Sequence, residues 1–270
     1  MKKLSIIGLG NMGYALVRGL VSSGKALPAT IRGFDIDSAR LQAAVNEFGI
    51  EAASALSDTV APDTEVLMLA VKPQIIGEVL ESIAHQAHER LVVVSIAAGI
   101  TTDFILSKLK GPARLIRAMP NAAAMVSAAA TAVCKAGAAD DEDLALAVDL
   151  FNAVGTAVPV DEKMMNAVTA LSGSGPGYLF VIMEALTDGG VLMGMDRPTA
   201  RALAVQTVLG AATVAASGNI PFSELKDRIT SPGGTTIAGL QVLESGGLRG
   251  LIMDAIEAAT LRAEELQTSR

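Results

Sequence analysis

The sequence has 270 residues, of which 51% are hydrophobic, so it is long enough to bury one large core or two smaller ones. Its formal net charge of −7 gives a surface that repels phosphate backbones, which argues against a nucleic-acid-binding protein. The single cysteine, Cys134, excludes an internal disulfide and a thiolate metal cluster. It is expected to be a small buried hydrophobic residue in a reducing cytoplasm.

The apolar segments are too short or too interrupted to predict a membrane protein. No unbroken apolar run reaches the roughly 18 residues that span a bilayer. Glycines interrupt the apolar start of the chain, so we predict a buried strand there and not a signal peptide. The mean hydropathy of +0.46 is nevertheless high. We therefore expect a cytoplasmic protein that buries apolar surface at a subunit interface and has no membrane partner.

The first half of the sequence alternates short apolar runs with helical patterns. The predicted strands span residues 4–8, 30–35, 66–71, 91–96, 114–118 and 156–160. The predicted helices span residues 11–23, 38–48, 75–90, 102–109 and 140–153. This alternation predicts an α/β domain with a doubly wound parallel sheet.

The second half has a different character, and the change falls near Asp161. Helical patterns occupy residues 176–195, 197–217, 221–228, 237–244 and 248–267, with no convincing strand between them. Alanine, leucine, valine and methionine cover nearly every side of these helices, which indicates burial all round. The sequence therefore predicts a first domain over residues 1–160 and an all-helical domain over residues 161–270.

A glycine-rich motif follows the first predicted strand and opens the first predicted helix. Its first glycine permits a tight turn, the second lets the backbone approach a pyrophosphate, and the third allows close packing of helix and strand. The helix N-terminus then offers free N–H groups and a positive dipole end to the phosphates. The residues predicted to bind a dinucleotide here are Ile7, Gly8, Leu9, Gly10, Asn11, Met12 and Gly13. A purely structural turn is the alternative.

An acidic residue, Asp35, ends the second predicted strand. A carboxylate at this position accepts hydrogen bonds from both hydroxyls of an adenosine ribose and repels a 2′-phosphate. Arg32 and Arg40 lie close in sequence and can offset that repulsion, so NADH and NADPH both remain open as cofactors. The alternative role for Asp35 is a helix N-cap, which Asp37 or Ser38 could fill equally well.

Two further segments end predicted strands at the carboxyl edge of the sheet, where ligands of such folds bind. The residues predicted to contact the cofactor from these segments are Ala70, Val71, Lys72, Pro73, Ala97, Ala98 and Gly99. Pro73 is suited to start the next helix. A solvated loop lysine is an equally good interpretation of Lys72.

With these motifs in place, the chain resembles the pyrroline-5-carboxylate reductase family from end to end. The matching stretches are Gly8–Gly13, Ala70–Pro73, Ser95–Gly99, Met119-Pro120-Asn121, Leu171–Pro176 and Thr230–Thr236. The last two are highly specific in combination. The resemblance implies a Rossmann domain and a helical dimerisation domain. It also implies the reduction of L-1-pyrroline-5-carboxylate to L-proline by hydride transfer from NAD(P)H, in a homodimer or a higher oligomer of dimers.

The sequence departs from the family pattern at two places. The family usually continues Met-Pro-Asn with Thr-Pro, whereas Ala122 and Ala123 follow Asn121 here. The family usually has alanine before the tyrosine that follows Gly-Pro, whereas this chain has Gly177. The first change removes a hydroxyl and a rigid ring beside the expected nicotinamide position. It bears on substrate range more than on the reaction.

The segment from Ser231 to Thr236 is a loop of small residues before a predicted helix. Free N–H groups of residues 234–236 would hold a carboxylate, while the neutral hydroxyl of Thr236 would bond the ring nitrogen of a cyclic imino acid. The nicotinamide is expected between Ala97, Asn121 and this loop. The predicted catalytic residue is Thr236, and the predicted substrate-binding residues are Asn121, Pro176, Ser231, Gly234, Thr235 and Thr236. A simple loop with an N-cap threonine is the alternative.

Neither the Ser172–Pro176 motif nor the Ser231–Thr236 motif contains a histidine or lysine. Reduction of a carbonyl normally needs such a proton donor, whereas an imine can arrive already protonated. The motifs therefore favour an imine substrate. The two histidines, His85 and His88, are expected on a solvated helix face, and no metal site is predicted.

Two other functions remain open from the sequence. One is a related imine reductase or β-hydroxyacid dehydrogenase. The hydroxyacid enzymes carry a catalytic lysine after a glycine-rich approach, whereas Lys163 precedes the Gly173–Pro176 stretch. The other is a regulatory module that senses nicotinamide cofactors without turnover, which would not need the Ser231–Thr236 loop.

Overall fold

The computed structural model describes residues 2–109 and 112–268. The described chain forms two compact units: one runs to Ser174 and takes in the end of the chain from Ala259, and the other is Gly175–Ala258. The break in packing thus lies after the boundary predicted near Asp161. The reason is that residues 162–174 pack with the sheet, where Met165 shares a small apolar cluster with Ala132 and Cys134.

The first unit contains one eight-stranded sheet in the order β3-β2-β1-β4-β5-β6-β7-β8. Its strands are β1 (Leu4–Ile7), β2 (Ile31–Phe34), β3 (Glu51–Ala52), β4 (Val66–Leu69), β5 (Val92–Ser95), β6 (Arg114–Met119), β7 (Ala129–Gly137) and β8 (Gly155–Pro159). All neighbours pair in parallel except β6 and β7, which are antiparallel. The predicted doubly wound sheet is confirmed, with β3 and β7 as strands that the prediction lacks.

Helices cover both faces of the sheet. They are α1 (Asn11–Ser22), α2 (Ser38–Phe48), α3 (Ile76–Ile83), α4 (Thr102–Lys108), α5 (Asp141–Phe151) and the short α6 (Met165–Val168). Alternate residues of one strand point to opposite faces. Ile6 accordingly joins the core cluster that includes side chains of α1, α2 and α5, and Ile7 joins the cluster that includes those of α3 and α4. This burial on both faces explains the continuous apolar runs of the strands.

The predicted helix over residues 75–90 is wrong beyond Ile83, where α3 ends. The chain must reverse there to enter β5, and it does so through two turns closed by N–H groups of Gln86 and Leu91. His85 and His88 therefore lie in turns and not on a helix face. Both ring nitrogens of His88 are buried without a hydrogen-bond partner in the described structure.

β7 carries the single cysteine. Cys134 is 3% exposed, which confirms the expected buried hydrophobic role. Burial raises the pKa of its thiol to about 11. The thiol is therefore kept protonated and away from solvent at neutral pH.

The second unit is all-helical, as predicted. Its helices are α7 (Gly175–Leu192), α8 (Arg197–Ala216), α9 (Phe222–Arg228) and α10 (Thr235–Ser245), followed by α11 (Leu248–Thr268), which begins in this unit. α7 and α8 pack closely, because an added Cβ on Gly190 would lie 3.0 Å from the Cβ of Ala200. Within Gly175–Ala258, only Thr187, Ala200 and Ala204 are buried.

Among the described residues, one helix, α8, is long and apolar enough on average to cross a membrane, although no unbroken apolar run of about 18 residues occurs in it. Over an 18-residue window its mean hydropathy is 1.2, and 11% of that window is buried. Arg201 and Gln206 interrupt the apolar residues of this helix, but the mean hydropathy of the window stays high in spite of them. A helix that packs against a second subunit can have the same length and composition.

Candidate functional site

The glycine turn between β1 and α1 has two glycines that the fold itself requires. Gly8 has φ +95°, and an added Cβ there would lie 2.6 Å from the carbonyl oxygen of Ala70. A Cβ on Gly13 would lie 1.9 Å from the carbonyl oxygen of Gly8. Gly10 is different, since the nearest atom to its added Cβ is Nη1 of Arg40 at 3.9 Å. The space beside Gly10 is therefore open to a ligand.

The N-terminus of α1 provides donors for that ligand. The first bond of the helix runs from the N–H of Tyr14 to the carbonyl of Gly10, at 2.9 Å. Within the described chain, the N–H groups of Asn11, Met12 and Gly13 have no acceptor, and no side chain caps the helix. Uncapped donors at the positive end of a helix dipole suit the pyrophosphate of a dinucleotide. The residues present thus fit the predicted cofactor.

Asp35 joins the end of β2 to the glycine turn. Its carboxylate accepts the N–H of Leu9 at 2.6 Å and the N–H of Asp37 at 2.8 Å. Asp37, and not Asp35, caps α2 by accepting the N–H of Ala39. The N-cap alternative for Asp35 is therefore wrong. An ionised carboxylate has about four acceptor positions, so Asp35 keeps capacity for ribose hydroxyls.

The two arginines near Asp35 differ in what they reach. Arg32 forms an ion pair with Glu51 at 3.1 Å and donates to the carbonyl of Asp58 at 2.9 Å. Nε of Arg40 lies 3.3 Å from a carboxylate oxygen of Asp37. Because Nη1 of Arg40 also lies close to the open side of Gly10, Arg40 is the cation next to the glycine turn.

The predicted segments after β4 and β5 lie at the same edge of the sheet. The N–H of Ala70 donates to the carbonyl of Ile7 at 2.8 Å, which places the segment Ala70–Pro73 beside the glycine turn. Lys72 is exposed and has no ion pair within residues 2–109 and 112–268. Ala97 is buried and Gly99 has φ +72°, so the backbone turns sharply after β5.

Asn121 follows β6 at this edge, two residues after Met119. Its Oδ1 accepts the N–H groups of Ala123 at 3.2 Å and Ala130 at 3.3 Å. Its Nδ2 donates to the carbonyl of Ser172 at 2.9 Å. Asn121 thus holds together segments that are far apart in the chain.

A partly buried ionic contact that the sequence analysis missed lies in the same unit. Glu162 accepts the N–H of Thr102 at 2.8 Å, the hydroxyl of Thr102, and Nη1 of Arg117 at 3.0 Å. Burial alone would raise the pKa of Glu162, but the hydrogen bonds from Thr102 and Arg117 lower it below the ordinary value. A signal was present, because Arg117 stands in the apolar strand β6, and a buried charge requires a partner.

In the second unit, the Ser231–Thr236 loop leads into α10. Gly233 has φ +68°, and a Cβ on Gly234 would lie 2.3 Å from Oγ of Ser231, so both glycines serve the turn. The N–H of Gly234 donates to the carbonyl of Ser231 at 3.0 Å. At the uncapped start of α10, the N–H groups of residues 235–237 have no acceptor in the described structure. Of the predicted donors 234–236, Gly234 is therefore engaged within the loop, and residues 235 and 236 remain free.

The predicted substrate residues of this unit are otherwise mostly accessible. Ser231 and Thr235 are exposed, and Pro176 is half-buried in the first turn of α7. Thr236 is half-buried, and its hydroxyl has no hydrogen-bond partner among the described residues. As for metals, no group of three or more histidine, cysteine, aspartate or glutamate side chains that could hold an ion occurs within those residues.

A dinucleotide-binding sheet joined to an all-helical unit defines the class of protein as a two-domain NAD(P)-dependent oxidoreductase. Two family models match the chain in agreement with this class. The model described as "NADP oxidoreductase coenzyme F420-dependent" matches residues 3–99, and the model described as "Pyrroline-5-carboxylate reductase dimerisation" matches residues 162–266.

Similar proteins narrow the class to one family. The chain is 42% identical to a pyrroline-5-carboxylate reductase of Methanosarcina acetivorans, with 98% of each chain covered, and 39% identical to that of Escherichia coli, with 99% of each covered. The solved pyrroline-5-carboxylate reductase of Coxiella burnetii has 37% identity and a TM-score of 0.95, with 98% of each chain covered. The chain therefore belongs to the pyrroline-5-carboxylate reductase family.

Another solved relative bears on the cofactor. The pyrroline carboxylate reductase of Plasmodium falciparum, solved with NADP bound, is 27% identical, with a TM-score of 0.84 and 98% of each chain covered. Its fold is matched by 98% of this chain.

Proposed function

We propose that the protein reduces L-1-pyrroline-5-carboxylate to L-proline with NADPH or NADH, the last step of proline biosynthesis. The observation that carries the proposal is the family membership, which extends over 98% of the chain at 42% identity. The open side of Gly10 and the uncapped start of α1 support it, because they fit a dinucleotide.

The residues of the chain divide the work between binding and orientation. The bound nicotinamide supplies the hydride. Asn11, Met12 and Gly13 hold the pyrophosphate through their free N–H groups, and Asp35 accepts from the adenosine ribose. The free N–H groups of residues 235–237 hold the substrate carboxylate at the start of α10.

The hydroxyl of Thr236 orients the substrate in this proposal. The imine arrives protonated at nitrogen, hydride adds to its carbon, and the π-electron pair of the C=N bond becomes the lone pair of the amine nitrogen. No further proton is needed in that step. The hydroxyl of Thr236 accepts the N–H of the protonated imine and thereby orients the ring.

We also propose a cytoplasmic homodimer, assembled through the helical unit, in which higher oligomers of dimers are allowed. The support is the match to the dimerisation model over residues 162–266 and the many exposed apolar side chains there. Isolated protomers would expose more contiguous apolar surface than soluble monomers usually do.

A steady-state assay tests the reaction. The protein is given pyrroline-5-carboxylate with NADPH or NADH, and the loss of reduced cofactor and the formation of proline are measured together. We expect equimolar conversion. Oxidation of a β-hydroxyacid without imine reduction would instead identify a hydroxyacid dehydrogenase. Tight cofactor binding with no turnover of any imine would identify a sensing module.

A further inference from the structure

One side chain, Asn121, connects the end of β6 to a π-helical turn at Thr169–Gly173. Its Nδ2 donates to the carbonyl of Ser172 at 2.9 Å, across 51 residues of chain. The orientation of the amide is fixed by its neighbours, since Oδ1 faces two backbone N–H groups and Nδ2 faces a carbonyl. A flipped amide would set donor against donor and acceptor against acceptor.

The π-helical turn is an uncommon conformation that needs outside support. Its wide bond runs from the N–H of Ser174 to the carbonyl of Thr169, at 2.8 Å. π-Helical turns are rare and occur frequently at functional sites. The same end of β6 approaches the turn at a second point, because a Cβ added to Gly173 would lie 3.1 Å from Cε of Met119. Met119 and Asn121 thus lie against two consecutive residues of the turn, Gly173 and Ser172.

The amide of Asn121 has little capacity left for a ligand. Both lone-pair directions of Oδ1 are used, and one of the two N–H groups of Nδ2 is used. The turn that it supports leads within three residues to Gly175 and Pro176, where α7 begins.

We propose that Asn121 is a positioning residue that acts through Ser172, and not a residue that binds the substrate. Its side chain fixes the π-helical turn and therefore the backbone from which the chain continues to Pro176. Its effect on turnover follows from that backbone position. The kinetic part of the proposal rests on the proposed function, whereas the structural part does not.

The substitution Asn121→Asp tests the role with little other change. Aspartate keeps an acceptor for the N–H groups of Ala123 and Ala130, but it sets a carboxylate oxygen against the carbonyl of Ser172. We expect kcat/KM for pyrroline-5-carboxylate to fall by about tenfold or more, the scale of one lost hydrogen bond with added repulsion. The dissociation constant of the cofactor should change by less than about twofold, because the glycine turn is untouched.

Hydrogen exchange is measured on the ligand-free protein. If Asn121 only bound the substrate, its substitution would not change exchange in the absence of substrate. Amides of the peptide over residues 168–176 should lose protection in Asn121→Asp and in Asn121→Ala, which guards against a defect peculiar to the charge. Asn152→Asp is the matched control, because Asn152 also accepts a backbone N–H, that of Ala157 at 2.9 Å. It should change neither exchange over residues 168–176 nor kcat/KM.

The outcomes separate the alternatives. Faster exchange over residues 168–176 together with reduced kcat/KM supports the positioning role. Unchanged exchange with a raised KM would show that Asn121 binds the substrate directly, and faster exchange with unchanged kinetics would show a merely structural contact; either result overturns the proposal. Absence of turnover in the unmodified protein would refute the proposed function, which is a separate result.

Discussion

The two units of the molecule stabilise themselves in different ways. The sheet unit closes its own core, where Ile6 and Leu69 are 0% exposed. In the helical unit, large apolar side chains stay outside, with Phe180 at 66% and Leu209 at 57% exposed. Hydrophobic burial is the dominant favourable term in folding. The sheet unit therefore closes its core within one chain, whereas the exposed apolar faces of the helical unit are the surface that the proposed homodimer would bury.

The largest expected effect comes from placing a charge on the helical unit. Leu209→Glu should dissociate the proposed homodimer, because an unpaired charge buried at an interface costs about 3–5 kcal/mol, or more than about a hundredfold in association. Turnover should fall with it if the helical unit needs its partner to stay folded. Leu27→Glu is the control, since Leu27 belongs to the sheet unit and is 55% exposed. Sedimentation measures the assembly. A dimeric, active Leu209→Glu protein would contradict the idea that the helical unit buries its apolar side chains by association.

Substitutions in the glycine turn separate cofactor binding from folding in the sheet unit. Gly10→Val should reduce cofactor affinity by about a hundredfold, because a branched side chain would fill the space of the phosphates, while the thermal unfolding temperature stays close to that of the wild type. Gly13→Val should instead prevent folding, since its Cβ would overlap the carbonyl oxygen of Gly8. Cofactor titration followed by fluorescence checks the first variant. Unchanged affinity in a folded Gly10→Val protein would contradict the assigned phosphate site.

Substitutions of Thr236, at the start of α10, measure how much the helical unit contributes to the reaction rate. Thr236→Ala should lower kcat/KM by about ten- to a thousandfold, or about 1.4–4 kcal/mol, with cofactor affinity nearly unchanged. Thr236→Ser keeps the hydroxyl and should retain most of the activity. Replacing His85 and His88 together should leave turnover nearly intact. A dead double-histidine variant with a fully active Thr236→Ala would favour an acid–base carbonyl reductase.

Cofactor choice should depend on one arginine. NADH should be used well because of Asp35, and Arg40→Ala should lower kcat/KM for NADPH by about tenfold more than for NADH, the scale of one contact between a guanidinium and a phosphate. Arg32→Ala is the matched control, since Arg32 is already engaged by Glu51. The ratio of kcat/KM for the two cofactors is measured for each variant. An equal loss with both cofactors in Arg40→Ala would place Arg40 at the shared pyrophosphate.

The smallest expected effect is on acid stability. The lowered pKa of Glu162 in the folded state means that its stabilising contribution is present above the ordinary glutamate pKa of about 4.3 and is lost as the pH falls through the lower folded-state value. Glu162→Gln should therefore flatten the acid limb of the unfolding free energy against pH. Glu257→Gln, on an exposed face of α11, should leave that limb unchanged. An identical acid limb in wild type and Glu162→Gln would contradict the assigned ion pair.

Local sequence patterns predict much of the sheet unit. The features that these patterns miss depend on contacts between segments that are distant in the sequence. Buried strands such as Val66–Leu69 are recognisable because both faces demand apolar residues. The alanine-rich sequence of β7 has no such pattern, and pairing with β6 makes it a strand, with Met119 opposite Ala132. The glycine turn is predictable because its spacing falls between a strand pattern and a helix pattern. The contacts of Asn121 and Glu162 span 51 and 45 residues, so no local pattern contains them.

Chemical labelling of the lone cysteine can report how often the sheet unit opens. Thiol-labelling reagents react with the thiolate, and burial both raises the pKa of Cys134 to about 11 and excludes solvent from β7. Modification at neutral pH must therefore wait until β7 opens. The rate of labelling reports the opening free energy of the sheet in any variant, whether or not the helices have found a partner. Because no second cysteine exists in the sequence, that signal comes from one place in the fold.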